Sequence, residues 1–124
     1  MARPVPPSGL GHLRIVVDAD AYIGPGRADL LELIAQTGSI SAAGKAMGMS
    51  YKRAWGLVQA LNGAFDSPLV EAARGGKDQG GASLTETGHD VLRLYRAIED
   101  KTAAAIAEDV AALRRLKGDR SQGK

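Results

Sequence analysis

The chain has 124 residues, 44% of them hydrophobic and 24% charged, with 16 Lys+Arg against 14 Asp+Glu for a formal net charge of +2; this suits one domain and is too apolar for disorder. It contains no cysteine and two histidines, His12 and His89, which excludes thiolate zinc, iron–sulfur and disulfide chemistry as well as a cysteine nucleophile, and leaves no cofactor expected. No apolar run approaches the ~18 residues of a membrane span, and MARPVPPSGLGH lacks a signal peptide's apolar stretch, so a cytoplasmic location is expected.

Residues 1–11 hold Pro4, Pro6, Pro7 and two glycines and read as a flexible arm. The β-branched run LRIVV (13–17) and Ala21-Tyr22-Ile23 flank an Asp18-Ala19-Asp20 turn, which predicts an N-terminal hairpin. After Gly24-Pro25-Gly26, Leu30, Leu31 and Ile34 recur at helical spacing from Arg27 to Thr37, stopping at Gly38. Ser39-Ile40-Ser41 offers a cap for a short helix over 42–47. Gly48-Met49-Ser50 then breaks the chain, and Ser50 caps a helix from Tyr51 to Asn62 whose buried stripe is Ala54, Val58 and Leu61.

Pro68 to Ala72 and Ala82 to Leu84 read as strands on either side of RGGKDQGG (74–81), with four glycines in eight residues. Thr85 caps a helix expected to reach Leu116, roughly 48 Å at 1.5 Å per residue. Its apolar positions Val91, Tyr95, Ile98, Ala105/Ile106, Val110, Leu113 and Leu116 follow a spacing built from steps of three and four. A body of some 80 residues cannot cover that whole stripe. The expectation is a seam for the same helix of a second copy, followed by a flexible tail over 117–124. The domain organisation is thus an arm (1–11), a body (12–84), a dimerisation helix (85–116) and the tail.

Two short helices joined by Gly48-Met49-Ser50 form a helix-turn-helix pattern. Ala43 is small where the helices cross, Gly48 permits a left-handed backbone, Met49 plugs the turn and Ser50 opens the second helix. Tyr51, Lys52, Arg53, Gly56 and Gln59 lie opposite the buried stripe, where polar side chains reach phosphates and base edges in a major groove. The glycine-tipped strand pair forms a wing bearing Arg74 and Lys77. Between Lys45 and Lys77 there are five basic residues (Lys45, Lys52, Arg53, Arg74, Lys77) and two acidic ones (Asp66, Glu71), a local excess of +3 that the whole-chain charge hides.

GSISAAGKAMGMSYKRAW, with LVEAARGGKDQGGASLTETG and the helix after it, resembles the N-terminal domain of ModE-type molybdate-responsive regulators, relatives of the LysR-type winged helix-turn-helix. The resemblance covers roughly residues 13–116. It implies a winged-helix fold, a homodimer and a palindromic operator on double-stranded DNA. It also implies DNA contacts from Ser50, Tyr51, Lys52, Arg53, Trp55 and Gln59, with the 74–81 loop adding wing contacts. The C-terminal oxyanion-binding domains of that family have no counterpart here, so no small-molecule effector site is expected.

Other readings have less behind them. The glycine loop lacks the Gly-Lys-Ser/Thr ending of a phosphate-binding P-loop. Asp18 and Asp20 have no further oxygen ligands at calcium-loop spacing, and Ser50 and Ser83 lack a His/Asp partnership for a hydrolase triad. Glu99, Asp100, Glu108 and Asp109 make the polar face of the last helix acidic, which an anionic membrane would repel. Trp55 is open between stacking near DNA and packing beside Ala54 and Val58. The expected fold is mainly α, a winged helix-turn-helix with an N-terminal hairpin, a two-stranded wing and a long C-terminal dimerisation helix. The expected function is sequence-specific DNA binding as a homodimeric transcriptional regulator without catalytic activity, linked to molybdenum metabolism. The alternative is a winged-helix module that binds protein.

Overall fold

The computed structural model describes residues 8–72 and 81–118. Its elements run β1 (Ile15–Asp18), β2 (Ala21–Ile23), α1 (Pro25–Thr37), α2 (Ile40–Ala46), α3 (Tyr51–Ala64), β3 (Val70–Ala72), β4 (Ala82–Leu84), α4 (Glu86–Ala105) and α5 (Ala107–Lys117). The architecture is a winged helix-turn-helix: a three-helix body with a hairpin at each end of its sequence, and a terminal helical arm. The tip of the wing, with Arg74 and Lys77, and the tail beyond 118 lie outside the described residues, as do residues 1–7 of the expected arm.

β1 and β2 pair antiparallel with an irregularity between Val16 and Asp18. Asp18 Oδ1 accepts the Ala19 N–H at 2.6 Å, so the acidic residue braces the backbone of the turn. The Tyr22 ring is clamped between the guanidinium groups of Arg14 and Arg27, 3.8 and 3.9 Å from its centroid. α1 starts two residues earlier than the periodicity predicts, because Pro25 at the first turn has no N–H to leave unsatisfied. It ends on Gly38 at φ 73°, whose N–H donates to Ile34 O at 2.8 Å. Thirteen residues of α1 contribute Ala28, Leu30, Leu31, Leu33 and Ile34 to the core, where they meet Ala54, Val58 and Leu61 of α3.

α2 begins at Ile40, with Ser39 alone as its cap: Ser39 Oγ accepts the Ala42 N–H at 3.0 Å. Gly48 takes φ 74° in the turn, the left-handed conformation that favours glycine. Ser50 Oγ accepts the Arg53 N–H at 3.1 Å and starts α3, which runs two residues past Asn62. Both Ala43 and Gly44 are buried where α2 crosses α3, but the tightest point is Gly44, where an added Cβ would stand 2.8 Å from that of Ala54.

The terminal helix is anchored to the core through the first half of α4. Thr85 Oγ accepts the Gly88 N–H at 2.9 Å while its hydroxyl donates to Pro68 O at 2.7 Å. About two turns past Gly88, Tyr95 is 1% exposed and its hydroxyl donates to Leu13 O at 2.6 Å. This overturns the expectation that Tyr95 belongs to a dimer seam, since the protomer's own core takes the whole ring. Val91 also packs partly against that core. The expected single helix is interrupted at Ile106, with φ −99° and ψ 2°, and no proline or glycine marks the break. Past it, α5 has no buried residue.

The Tyr95 phenol is pushed up to about 12, first by burial and then by the Glu99 carboxylate beside it. The folded protein therefore keeps a proton that an unfolded chain loses near pH ~10. Its stabilising contribution is complete below that value and is lost as pH rises toward about 12. Tyr95→Phe is expected to be less stable at neutral pH by about 1 kcal/mol, for the hydrogen bond to Leu13, and to lose about 1 kcal/mol less than the unmodified protein between pH ~9 and ~11. Urea titrations at the two pH values check this; parallel losses would assign the alkaline transition to another group.

Candidate nucleic-acid interface

α3 is the element around which a candidate interface forms. Its buried side, Ala54, Val58 and Leu61, is anchored in the core, so the opposite side is held outward without freedom to roll. Lys52, Gly56 and Gln59, spaced four and three residues apart, form the outward row, and Arg53 starts the next row around the helix; all four are exposed. Lys45 on α2 and Ser50 at the helix start are exposed beside them. Among the described residues no ion pair engages Lys45, Lys52 or Arg53. These charges stand available in water, where a polyanion would not first have to displace a carboxylate.

Trp55 faces the surface, 43% exposed, and does not enter the core. Its ring stacks on Tyr51 at 6.3 Å between centroids and 11° between planes. The pair borders a cleft of about 340 Å³ toward the wing, lined further by Val58, Asn62, Val70 and Ala82. The expected site residues therefore divide in two sets. Lys52, Arg53 and Gln59 point away from the body, whereas Tyr51 and Trp55 cover the junction between α3 and the wing.

Asn62, which the sequence shows only as the end of a helix, sets the angle of that junction. Its Oδ1 accepts the N–H groups of Leu69 and Val70 at 2.8 and 3.0 Å, and its Nδ2 donates to Val70 O at 3.1 Å. β3 and β4 pair antiparallel, with Val70 opposite Leu84 and Ala72 opposite Ala82. Ala82 N–H donates to Gly38 O at 2.9 Å, and Ser39 bridges Gly81. The wing is thus tied to α3 by one amide and to the α1–α2 connection by backbone bonds. Neither link has a periodicity or motif that would mark it in the sequence.

Among the described residues no group of three or more His, Cys, Asp or Glu could hold a metal ion, and no helix is long and apolar enough to cross a membrane.

Residues 27–89, which span α1 through the first turn of α4, match the family described as bacterial regulatory helix-turn-helix protein, lysR family. The chain belongs to that LysR family. Within its fold, the matched region holds all of the exposed α3 row and the wing strands, and it leaves the terminal helical arm outside. The chain is 47% identical over 87 residues to the molybdenum-pterin-binding protein MopB of Rhodobacter capsulatus, covering 70% of this chain and 32% of that protein. To the DNA-binding transcriptional dual regulator ModE of Escherichia coli K12 it is 37% identical over 100 residues, covering 78% and 38%. The chain therefore spans about a third of the length of these curated relatives. Among solved structures, the DNA-binding domain of CbnR in complex with DNA superposes with a TM-score of 0.56 at 24% identity, covering 71% of this chain and 95% of that one. That likeness is one of fold.

Proposed function

We propose that this LysR-family chain binds double-stranded DNA in a sequence-specific manner, as a homodimer, and regulates transcription without a catalytic step. The observation that carries this reading is the outward row of α3, where Lys52 and Gln59 stand on a helix whose start is fixed by Ser50 and whose opposite face is locked in the core. In a major groove such side chains hydrogen-bond base edges, with lysine or arginine suited to guanine and glutamine to adenine. Arg53 and Lys45 flank the row for base-edge or phosphate contact. Ser50 and the Tyr51–Trp55 stack sit where the helix meets the backbone, and Arg74 and Lys77 of the wing are further proposed phosphate contacts. The name of the molybdenum-pterin-binding relative MopB supports genes of molybdenum handling as the proposed targets.

The proposed dimer uses the surface of α4 and α5 that the protomer leaves uncovered. Leu113 and Leu116 are 65% and 83% exposed, and Leu94, absent from the expected seam, is exposed beside Ile98. Ile98, Ile106 and Val110 are partly covered. Val110 lines a groove of about 650 Å³ against residues 8–12, with Arg114, which donates to Ser8 Oγ at 2.9 Å. We propose a narrower seam than the full stripe, centred on Leu94, Ile98, Ile106 and Leu113.

One experiment tests both parts. A palindromic duplex selected by the unmodified protein is titrated over a salt series, alongside sedimentation of the same samples. Lys52→Ala is expected to weaken the selected duplex by about 1–3 kcal/mol if the lysine reads a base, or to lower the salt slope by ~1 if it meets a phosphate. Leu113→Glu is expected to sediment as a monomer, because a buried charge in a two-fold seam is desolvated twice. Binding that is insensitive to salt would instead support the protein-binding alternative.

A further inference from the structure

Among the described residues, nothing packs against Gly56. It lies in the middle of α3 with an ordinary helical backbone, since the positive φ angles among the described residues fall on Gly9, Gly38, Gly48 and Gly118. A Cβ built on it would meet nothing within 4 Å. The other glycines within helices are each accounted for: Gly26 and Gly63 lie in the first and last turns of α1 and α3, where helix propensity counts least. Gly44 is pressed against Ala54, and Gly88 against the backbone of Leu69. At Gly56 alone an exposed helix interior gives up a stabilisation that alanine would supply, worth about fourfold in the folding equilibrium. Among the described residues nothing is gained in return, which points to something that approaches this face from outside.

We infer that Gly56 is the point of closest approach between α3 and the base pairs, and that its missing side chain determines which operator the protein reads. The inference rests on the DNA-binding reading above. Gly56 sits between Lys52 and Gln59 on the outward row. With only a Cα hydrogen at its centre, the helix can settle deep enough in the groove for both flanking side chains to reach base edges at hydrogen-bonding distance. A methyl group there meets the base edges first and holds the helix off, lengthening both contacts together. Phosphate contacts, made by flexible side chains at the periphery, follow such a displacement more easily.

The test starts from a pool of short duplexes with a randomised centre. The best-enriched duplex is compared with a scrambled duplex of the same composition, for the unmodified protein, Gly56→Ala and Gly63→Ala. Gly56→Ala is expected to raise Tm by about 3–5 °C and yet bind the enriched duplex about tenfold more weakly, with the scrambled duplex changed less than about twofold. Gly63→Ala, about 10 Å further along the helix, is expected to leave both affinities within about twofold. Selection repeated with Gly56→Ala is expected to enrich a different or weaker consensus. Should Gly56→Ala bind the enriched duplex as tightly as the unmodified protein, the inference is overturned and the DNA-binding reading stands. An unmodified protein that enriches no duplex overturns both.

Discussion

Gly88→Ala is expected to destabilise the fold by about 3 kcal/mol or more, at the top of the range for overpacking. The position lies in the first turn of α4, directly on the strand entering the wing. An added Cβ would penetrate the carbonyl oxygen of Leu69 and stand 3.0 Å from its carbonyl carbon. Neither atom can rotate aside as a side chain can, so the helix start and the wing must separate. That separation also strains the bonds gathered there: Thr85 N–H to Leu69 O at 2.9 Å, the Thr85 hydroxyl to Pro68 O, and the Gly88 N–H to Thr85 Oγ. Urea unfolding gives the check, read as a lower midpoint at unchanged slope. Gly63→Ala, which meets nothing, serves as the comparison. A loss below about 1 kcal/mol at Gly88 would show that the helix can shift without cost to the wing.

Arg96 is expected to matter almost as much, for an electrostatic reason. Its guanidinium, 12% exposed, donates to Asp29 at 2.8 Å, to Glu32 at 2.6 Å and to Glu99 at 2.9 Å. Burial works against its charge, but the hydrogen bonds to the three carboxylates outweigh burial and hold the group more firmly protonated than a free guanidinium. Removing the cation leaves three part-buried carboxylates facing one another across the α1–α4 contact. Arg96→Met, which retains much of the side chain's apolar stem, is expected to cost about 3 kcal/mol. Arg93→Ala breaks an exposed pair with Asp90 on the same helix and is expected to cost under about 1 kcal/mol. Equal effects at the two arginines would show that the Arg96 cluster behaves as a surface pair. Together with Gly88 and Tyr95, Arg96 fixes the first half of α4 to the body, and the large apolar side chains that α4 and α5 leave exposed are Leu94, Leu113 and Leu116.

The features legible in the sequence are those whose physics is local. Ser39, Ser50 and Thr85 each cap a helix because an N-cap needs only a side-chain oxygen and the N–H three residues on. Gly38 and Gly48 take positive φ where a helix ends and where a turn is tight. The stripe Ala54, Val58 and Leu61 is buried because period alone decides which side of α3 is apolar. From these the helix-turn-helix and an outer face of α3 made of Tyr51, Lys52, Arg53, Gly56 and Gln59 could be read, of which the structure turns Tyr51 toward the wing. What the tertiary structure decided concerns meetings between elements far apart in sequence. Tyr95 has the spacing of a seam residue, yet Leu13, 82 residues earlier, accepts its hydroxyl and closes the core over it. Trp55 has the spacing of either face, and it lies on the surface stacked on Tyr51, at the edge of a cleft completed by the wing. Gly44, Asn62, Gly88 and Arg96 look unexceptional along the chain, because a close approach or a carboxylate cluster exists only once α2 crosses α3, β3 docks on α3, and α4 lies on α1. Periodicity carries the direction a residue faces within its own element, but not the identity of what faces it, and that second quantity sets both the stability of α4 and the angle of the wing.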